Sequence, residues 1–159
     1  MKKSRVLFIS STGGHLDELL KLDSLFKKYD YYLVTENTKA NINLKKKYKN
    51  VSYLVYGTKV HLFKYIFKYT FNILKSIYLY FKIHPDYIVT TGTHTAAPIA
   101  CLGKIMGSKV IYIETFANIS TRTATGNLIY KLNMYDIFIV QWKSMLKVYP
   151  KATFGGWIY

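Results

Sequence analysis

Apolar and polar positions alternate along this chain in two rhythms. Val6-Leu7-Phe8-Ile9 is a short, unbroken apolar run with β-branched residues, the pattern of a strand buried on both faces. Ser11-Thr12-Gly13-Gly14 interrupts it, and Leu16, Leu19, Leu20, Leu22 and Phe26 then fall at helical spacing. Tyr31-Tyr32-Leu33-Val34-Thr35 reads as a second strand. Val51 to Tyr56 is a third, reached through a polar, lysine-rich segment, and Tyr87-Ile88-Val89-Thr90 a fourth. Ala96 to Met106 is a helix closed by Gly107, since glycine accepts the left-handed turn that helix ends favour. Val110-Ile111-Tyr112-Ile113 and Ile137-Phe138-Ile139-Val140 are the fifth and sixth strands. Repeated strand–helix units predict an α/β fold, a Rossmann-like parallel sheet with helices on both faces, in one domain over residues 1–159. In the order 3-2-1-4-5-6, strands one and four are neighbours, and ligands bind in the crevice at their carboxyl ends.

The segment at about 60–83 breaks this rhythm. Lys64, Lys68, Lys75 and Lys82 are spaced 4, 7 and 7 residues apart. On a helix that places them within about 40° of one another. His61 and Asn72 lie near that stripe, and Phe63, Ile66, Phe67, Phe71, Ile73, Leu74, Ile77 and Phe81 fill the other side. A strand is excluded by the parity of Lys75, and a spanning helix by the frequency of the lysines. The pattern predicts a basic amphipathic helix lying among lipid headgroups, with Lys64, Phe67, Lys68, Phe71, Lys75 and Lys82 at the membrane. The alternative is a crossover helix packed on the sheet with solvated lysines. Both hold if one edge meets the core and another the membrane.

Charge favours the membrane. The 159 residues carry 23 Lys plus Arg against 8 Asp plus Glu, a net charge of +15. Such a surface attracts phospholipid, lipid diphosphate, sugar nucleotide or nucleic acid. From Asn37 through Pro85 there is no acid, yet there are ten lysines. A solvated helix mixes signs, whereas each lysine near an anionic membrane gains about 1 kcal/mol. No nucleic-acid recognition motif accompanies the charge, so no nucleic-acid partner is expected. The single cysteine, Cys101, excludes an internal disulfide and fits a reducing compartment. The first apolar run is too short for a signal peptide or a spanning helix. The expected location is the cytoplasm or, peripherally, the cytoplasmic face of the cell membrane.

Candidate chemistry gathers in loops that follow strands. Ser10-Ser11-Thr12-Gly13-Gly14-His15 opens a helix, where two glycines allow close approach and free N–H groups favour a phosphate. It is neither a P-loop nor a G-x-G-x-x-G. Glu36, at the end of strand two, stands where an acid holds a ribose in dinucleotide-binding folds; the alternative is a solvated loop acid. Thr91-Gly92-Thr93-His94-Thr95-Ala96-Ala97-Pro98 is a second glycine turn feeding a helix. His15 and His94 then face one crevice, and Glu114, ending strand five, joins them. Two histidines and a glutamate are metal-ligand types, but these loops suit anions, so neither metal nor cofactor is expected. From Glu114 to Gly126 the chain reads as a hydroxyl-rich functional loop in which Arg122 is placed to clamp a phosphate.

Taken in order, these motifs carry a resemblance. Ser11-Thr12-Gly13-Gly14-His15, Thr90-Thr91-Gly92-Thr93-His94-Thr95-Ala96-Ala97-Pro98, Ile113-Glu114-Thr115-Phe116, the run from Tyr135 to Trp142, and the terminal Tyr149-Pro150…Phe154-Gly155-Gly156-Trp157-Ile158 span the chain. Together they resemble bacterial capsule and exopolysaccharide proteins related to the membrane-anchoring subunit of the eukaryotic N-acetylglucosaminyltransferase that adds the second sugar to dolichol-diphosphate. The resemblance implies the N-terminal, acceptor half of a GT-B glycosyltransferase. A separate UDP-sugar-binding chain supplies the other half, and the acceptor is a polyprenyl-diphosphate-linked sugar. The length, one Rossmann unit, agrees. The glycine loop is also similar to that of the transferase making the second peptidoglycan lipid intermediate, where it faces the lipid diphosphate. That carries over onto Thr12, Gly13, Gly14 and His15, and onto Gly92, Thr93 and His94.

The chain departs from the family in two places. It has no initial spanning helix, which moves anchoring to the amphipathic helix. It has Asn118 where the family's loop has arginine, which moves weight to Arg122. His15 is the candidate catalytic residue, as a base or as a ligand of the diphosphate. The aromatic tail at about 150–159, with Phe154, Trp157 and Ile158, is the expected partner-binding segment beyond the last strand; the alternative is that it folds back on its own sheet. Two competing readings are a stand-alone nucleotide-binding enzyme using Gly13, Gly14 and Glu36, and a basic nucleic-acid-binding protein.

Overall fold

A computed structural model describes residues 3–57 and 62–158. The expected helix start at Val60 and His61, together with Lys59, Tyr159 and the side chain of Lys64, lies outside the described residues. Seven parallel strands form one sheet: β1 (Arg5–Ser10), β2 (Asp30–Asn37), β3 (Val51–Val55), β4 (Tyr87–Gly92), β5 (Lys109–Ile113), β6 (Ile137–Val140) and β7 (Thr153–Phe154). Their order is β3-β2-β1-β4-β5-β6-β7. The helices are α1 (Gly14–Leu20), α2 (Asp23–Phe26), α3 (Leu44–Lys47), α4 (Leu62–Ile83), α5 (Ala97–Ile105) and α6 (Ala124–Lys131). Alternate strand residues face opposite layers. Leu7, Ile9, Val34, Val110 and Phe138 pack with Leu79 and Ile83 of α4, Ile99 of α5 and Ile129 of α6. Val6, Phe8, Leu33, Val89 and Ile113 pack on the other side with Leu19 of α1 and Phe26 of α2.

Three elements differ from the sequence expectation. The first helix is two short ones, because Asp23 suits the first turn of a new helix and α2 starts there. The loop beginning at Glu114 ends earlier than read: the Thr123 hydroxyl caps α6 by accepting the Gly126 N–H at 3.0 Å. The tail is not beyond the last strand. Thr153 and Phe154 pair with Ile139 and Val140 of β6 as a seventh strand, too short to show a two-residue rhythm.

On α4 the correction concerns Asn72. Asn72, placed beside the lysine stripe by its spacing, is buried with Ser76, Leu79, Tyr80 and Ile83. Its Oδ1 accepts the Val55 N–H and its Nδ2 donates to the Val55 C=O, both at 2.8 Å. β3 is the edge of the sheet, so this amide stands in for a missing neighbouring strand. The opposite face of α4 carries Phe63 and Phe67, 82% and 76% exposed, followed by Phe71, Leu74, Tyr78 and Phe81. Crossover packing and an outward apolar face therefore coexist. Lys68, Lys75 and Lys82 line the border between them. Lys68 donates to the Tyr56 C=O at 3.1 Å, and the Lys75 and Lys82 ammonium groups lie over the Phe71 and Tyr78 rings at 5.9 and 5.8 Å.

Asn72→Ala leaves the half-buried Val55 N–H and C=O without partners. It should destabilise the fold by about 2–4 kcal/mol, read as a lower midpoint in urea with an unchanged slope. An unchanged midpoint means that the edge strand does not need this amide.

Candidate functional site

The carboxyl ends of β1, β2, β4 and β5 lie on one edge of the sheet, as parallel strands require, and the predicted loops gather there. Gly13 caps α1 at φ 78°, ψ −148°, a conformation open essentially to glycine alone. Bonding along α1 begins with the Leu16 N–H to the Gly13 C=O at 2.8 Å. The preceding N–H groups, of Gly14 and His15, are left for a partner outside the helix.

His15 is locked to the neighbouring strand. Its Nδ1 lies 2.7 Å from the Thr91 C=O, and a carbonyl only accepts, so Nδ1 carries the proton and Nε2 is the nitrogen left over. The Thr91 hydroxyl returns a bond to the His15 C=O at 2.7 Å. Gly92, at φ +95°, closes the contact: a Cβ there would stand 3.2 Å from the Tyr112 hydroxyl and 3.7 Å from the His15 ring. His94 turns elsewhere. Its ring meets Tyr65 and Tyr69 of α4 at 5.7 and 6.1 Å, and the Thr93 hydroxyl is 3.3 Å from its Nδ1. The structure thus brings His15 to the β1–β4 junction and His94 to the start of α4.

Glu114 and Arg122 are both engaged by the chain itself. The Glu114 carboxylate accepts from the Thr115 N–H at 3.1 Å, the Thr123 hydroxyl at 3.0 Å and the Tyr149 hydroxyl at 3.0 Å. Burial pushes this carboxyl above its ordinary pKa, against the pull of the Tyr149, Thr123 and Thr115 bonds and of nearby His15. Burial, then the Glu114 charge, likewise pushes the Tyr149 hydroxyl up. Arg122 donates to Asn127 Oδ1 at 3.1 Å and to the Val148 C=O at 2.7 Å, and lies over the Tyr149 ring. Glu18, which the sequence did not single out, braces the same loop by accepting the Thr115 hydroxyl at 2.7 Å and the Phe116 N–H at 3.1 Å.

Glu36 is not a solvated loop acid. It is 2% exposed, and its Oε2 accepts the Thr12 N–H at 3.1 Å. Burial raises its pKa, and the Thr12 bond offsets part of that. Asn41, also missed because a lone asparagine in a lysine-rich stretch gives no signal, donates to Thr12 Oγ1 at 2.8 Å and to the Glu36 C=O at 3.3 Å. Several buried polar atoms without a partner lie around this edge: Ser10 Oγ, Glu18 Oε2, Thr35 Oγ1, Glu36 Oε1 and Thr95 Oγ1.

In the tail, Trp157 lies against Phe116 and Phe116 against Trp142, each pair at 4.8 Å. Ile158 packs inward and donates its N–H to Gln141 Oε1 at 3.3 Å, whereas Phe154 and Trp157 remain exposed. Among the described residues no three His, Cys, Asp or Glu side chains converge on a metal position, and no helix is long and apolar enough to cross a membrane.

Residues 6–158 match the family described as "Oligosaccharide biosynthesis protein Alg14 like". The mouse (Mus musculus) UDP-N-acetylglucosamine transferase subunit ALG14 is 28% identical over 180 residues, covering 96% of this chain and 82% of the relative. The human (Homo sapiens) subunit of the same name is 26% identical over 177 residues, covering 95% and 81%. Among solved structures, a UDP-N-acetylglucosamine 2-epimerase superposes with a TM-score of 0.71 at 14% identity, over 94% of this chain and 45% of that one. MurG of Acinetobacter baumannii superposes with a TM-score of 0.68 at 14% identity, over 89% and 42%. The chain spans less than half the length of these two enzymes, and shares with them the Rossmann-like fold of a GT-B half.

Gly126 tests the Glu114 cluster. A Cβ there would stand 2.3 Å from Glu114 Oε2, 2.7 Å from Thr123 Oγ1 and 3.0 Å from the Tyr149 hydroxyl. Gly126→Ala should therefore cost about 1–3 kcal/mol of stability by overpacking. Thermal unfolding checks it, and a wild-type melting temperature would show that the cluster yields freely.

Proposed function

Because the chain belongs to the Alg14-like family of oligosaccharide biosynthesis proteins, we propose that it is the acceptor-binding, membrane-recruiting subunit of a two-chain inverting glycosyltransferase. A separate chain binds the UDP-sugar. The acceptor is a polyprenyl-diphosphate-linked sugar, and the product feeds bacterial capsular or exopolysaccharide synthesis. The observation that carries this reading is the match over 96% of the chain to a relative named as a transferase subunit. The capsular setting rests on the ordered loop motifs, and the acceptor on the anion-suited edge of the sheet.

In this reading Thr12, Gly13, Gly14 and His15 receive the acceptor diphosphate, with Gly92, Thr93 and His94 at the adjoining loop. The first N–H groups of α1 favour negative charge. His15 Nε2, with Nδ1 committed to Thr91, is the nitrogen available to an acceptor oxygen. A role in binding the diphosphate is favoured here over proton abstraction. Glu114 and Arg122 serve the loop behind the site. The exposed Phe154 and Trp157 are the tail residues free to meet the partner chain. Reconstitution tests this. The purified chain should transfer no sugar alone and should become active with its transferase partner. In that complex, His15→Ala should raise the acceptor KM while leaving kcat nearly intact. Robust transfer by the isolated chain sinks the two-chain reading, and a fall in kcat of about 100-fold makes His15 the base.

Attachment is peripheral in this reading, at the cytoplasmic face, through the outward side of α4. Exposed aromatics bordered by lysines suit an anionic headgroup layer. Replacing Phe63, Phe67 and Phe71 together with serine should release the chain from liposomes of any charge. Replacing Lys68, Lys75 and Lys82 with glutamate should release it selectively from anionic ones. Flotation assays check both. Undiminished binding by the triple serine variant means that another surface meets the lipid.

A further inference from the structure

Glu36 is held at one oxygen and open at the other. Oε2 accepts the Thr12 N–H at 3.1 Å, while Oε1 is buried and meets no donor among the described residues. A buried carboxylate oxygen lacking a donor is costly, and such a group persists where a ligand completes it. Its frame is rigid. Asn41 donates to Thr12 Oγ1 at 2.8 Å and to the Glu36 C=O at 3.3 Å, and its own C=O accepts the Tyr53 hydroxyl at 2.7 Å. Burial, then the Glu36 charge, pushes the hydroxyl of Tyr65, on α4, above its ordinary pKa. The Tyr65 ring stacks on Tyr69 at 5.9 Å and meets His94 at 5.7 Å. A fixed acceptor oxygen beside flat rings and a glycine loop is a constellation that reads a sugar: the carboxylate takes a hydroxyl hydrogen, and the rings take the C–H face.

We propose that Glu36 is a specificity-determining residue for the acceptor, its open oxygen accepting a hydrogen bond from a hydroxyl or acetamido N–H of the lipid-linked sugar. The inference rests on reading this sheet edge as the acceptor site, and adds the group that distinguishes a sugar-bearing lipid diphosphate from a bare one.

Glu36→Gln is the test. It keeps a carbonyl oxygen for the Thr12 N–H and puts a donor where the open acceptor was. Binding of the purified chain is measured in micelles to polyprenyl diphosphate bearing N-acetylglucosamine, glucose or galactose, and to bare polyprenyl diphosphate. The variant should bind the preferred sugar-bearing lipid about 10-fold more weakly, or worse, with bare-lipid binding unchanged. Its Tm at pH 7 should equal or exceed that of the wild type, since a buried carboxylate no longer has to ionise. Equal weakening toward every lipid makes Glu36 a support for the Thr12 loop and overturns the proposal. So does an unchanged variant, or a wild type with no preference for any sugar. A wild type that binds none of the lipids overturns the acceptor-site reading as well, which separates the two failures.

Discussion

β1 and β4 pair in parallel, from Val6 opposite Tyr87 to Ser10 opposite Gly92, and the chain between them must cross over and return. The sheet grows outward in both directions from this pair, so the loops leaving it diverge and open a crevice. The register shifts between Ile9 and Ser10, at the carboxyl end of β1. There the Ser11 N–H bonds the Gly92 C=O at 3.1 Å, and His15 and Thr91 exchange two bonds. Two glycine loops that are remote in sequence are thereby fixed against each other before any ligand arrives. Gly92 permits it, because a side chain would enter the space between His15 and Tyr112.

The same edge holds two buried carboxyls, and both work against stability at neutral pH. A carboxyl whose pKa is raised by folding binds its proton more tightly in the folded state. Stability is then lost as pH rises from the ordinary carboxylate value through the raised one. Glu114 recovers much of this through three kinds of donor and through His15. Glu36 has only the Thr12 N–H to offset its burial. The difference separates their roles: Glu114 joins β5, α6 and Tyr149 into one unit, while Glu36 is left incomplete.

The strands were legible because each is a short apolar run buried on both faces, and their order followed from the crossover rule. The loops at Gly13-Gly14-His15 and Gly92-Thr93-His94 were legible because glycine is demanded where the backbone turns left-handed. The inward face of α4 was not: spacing sets Asn72 beside the lysines, but the Val55 N–H and C=O at the unpaired edge of β3 need an acceptor and a donor, and Asn72 turns in to supply both. Asn41 and Glu18 were illegible for a related reason. Their value lies in bonds to loops distant in sequence, and no local pattern marks them. β7 owes its existence to pairing with β6, a tertiary effect on two residues.

The orientation of α4 gives its start two different faces. The first described turns of α4 carry Tyr65 and Tyr69 on the side that meets His94, and Phe63 and Phe67 on the side open to solvent. The two sides are separated by one helix diameter, about 10 Å. On the proposed reading, the Tyr65, Tyr69 and His94 rings lie about that distance from the lipid surface. The lysines at the border, Lys68, Lys75 and Lys82, then sit at the level of the headgroups, where phosphate meets their charge. A helix turned the other way would bury Phe63 and Phe67 against the sheet and strand the Val55 groups.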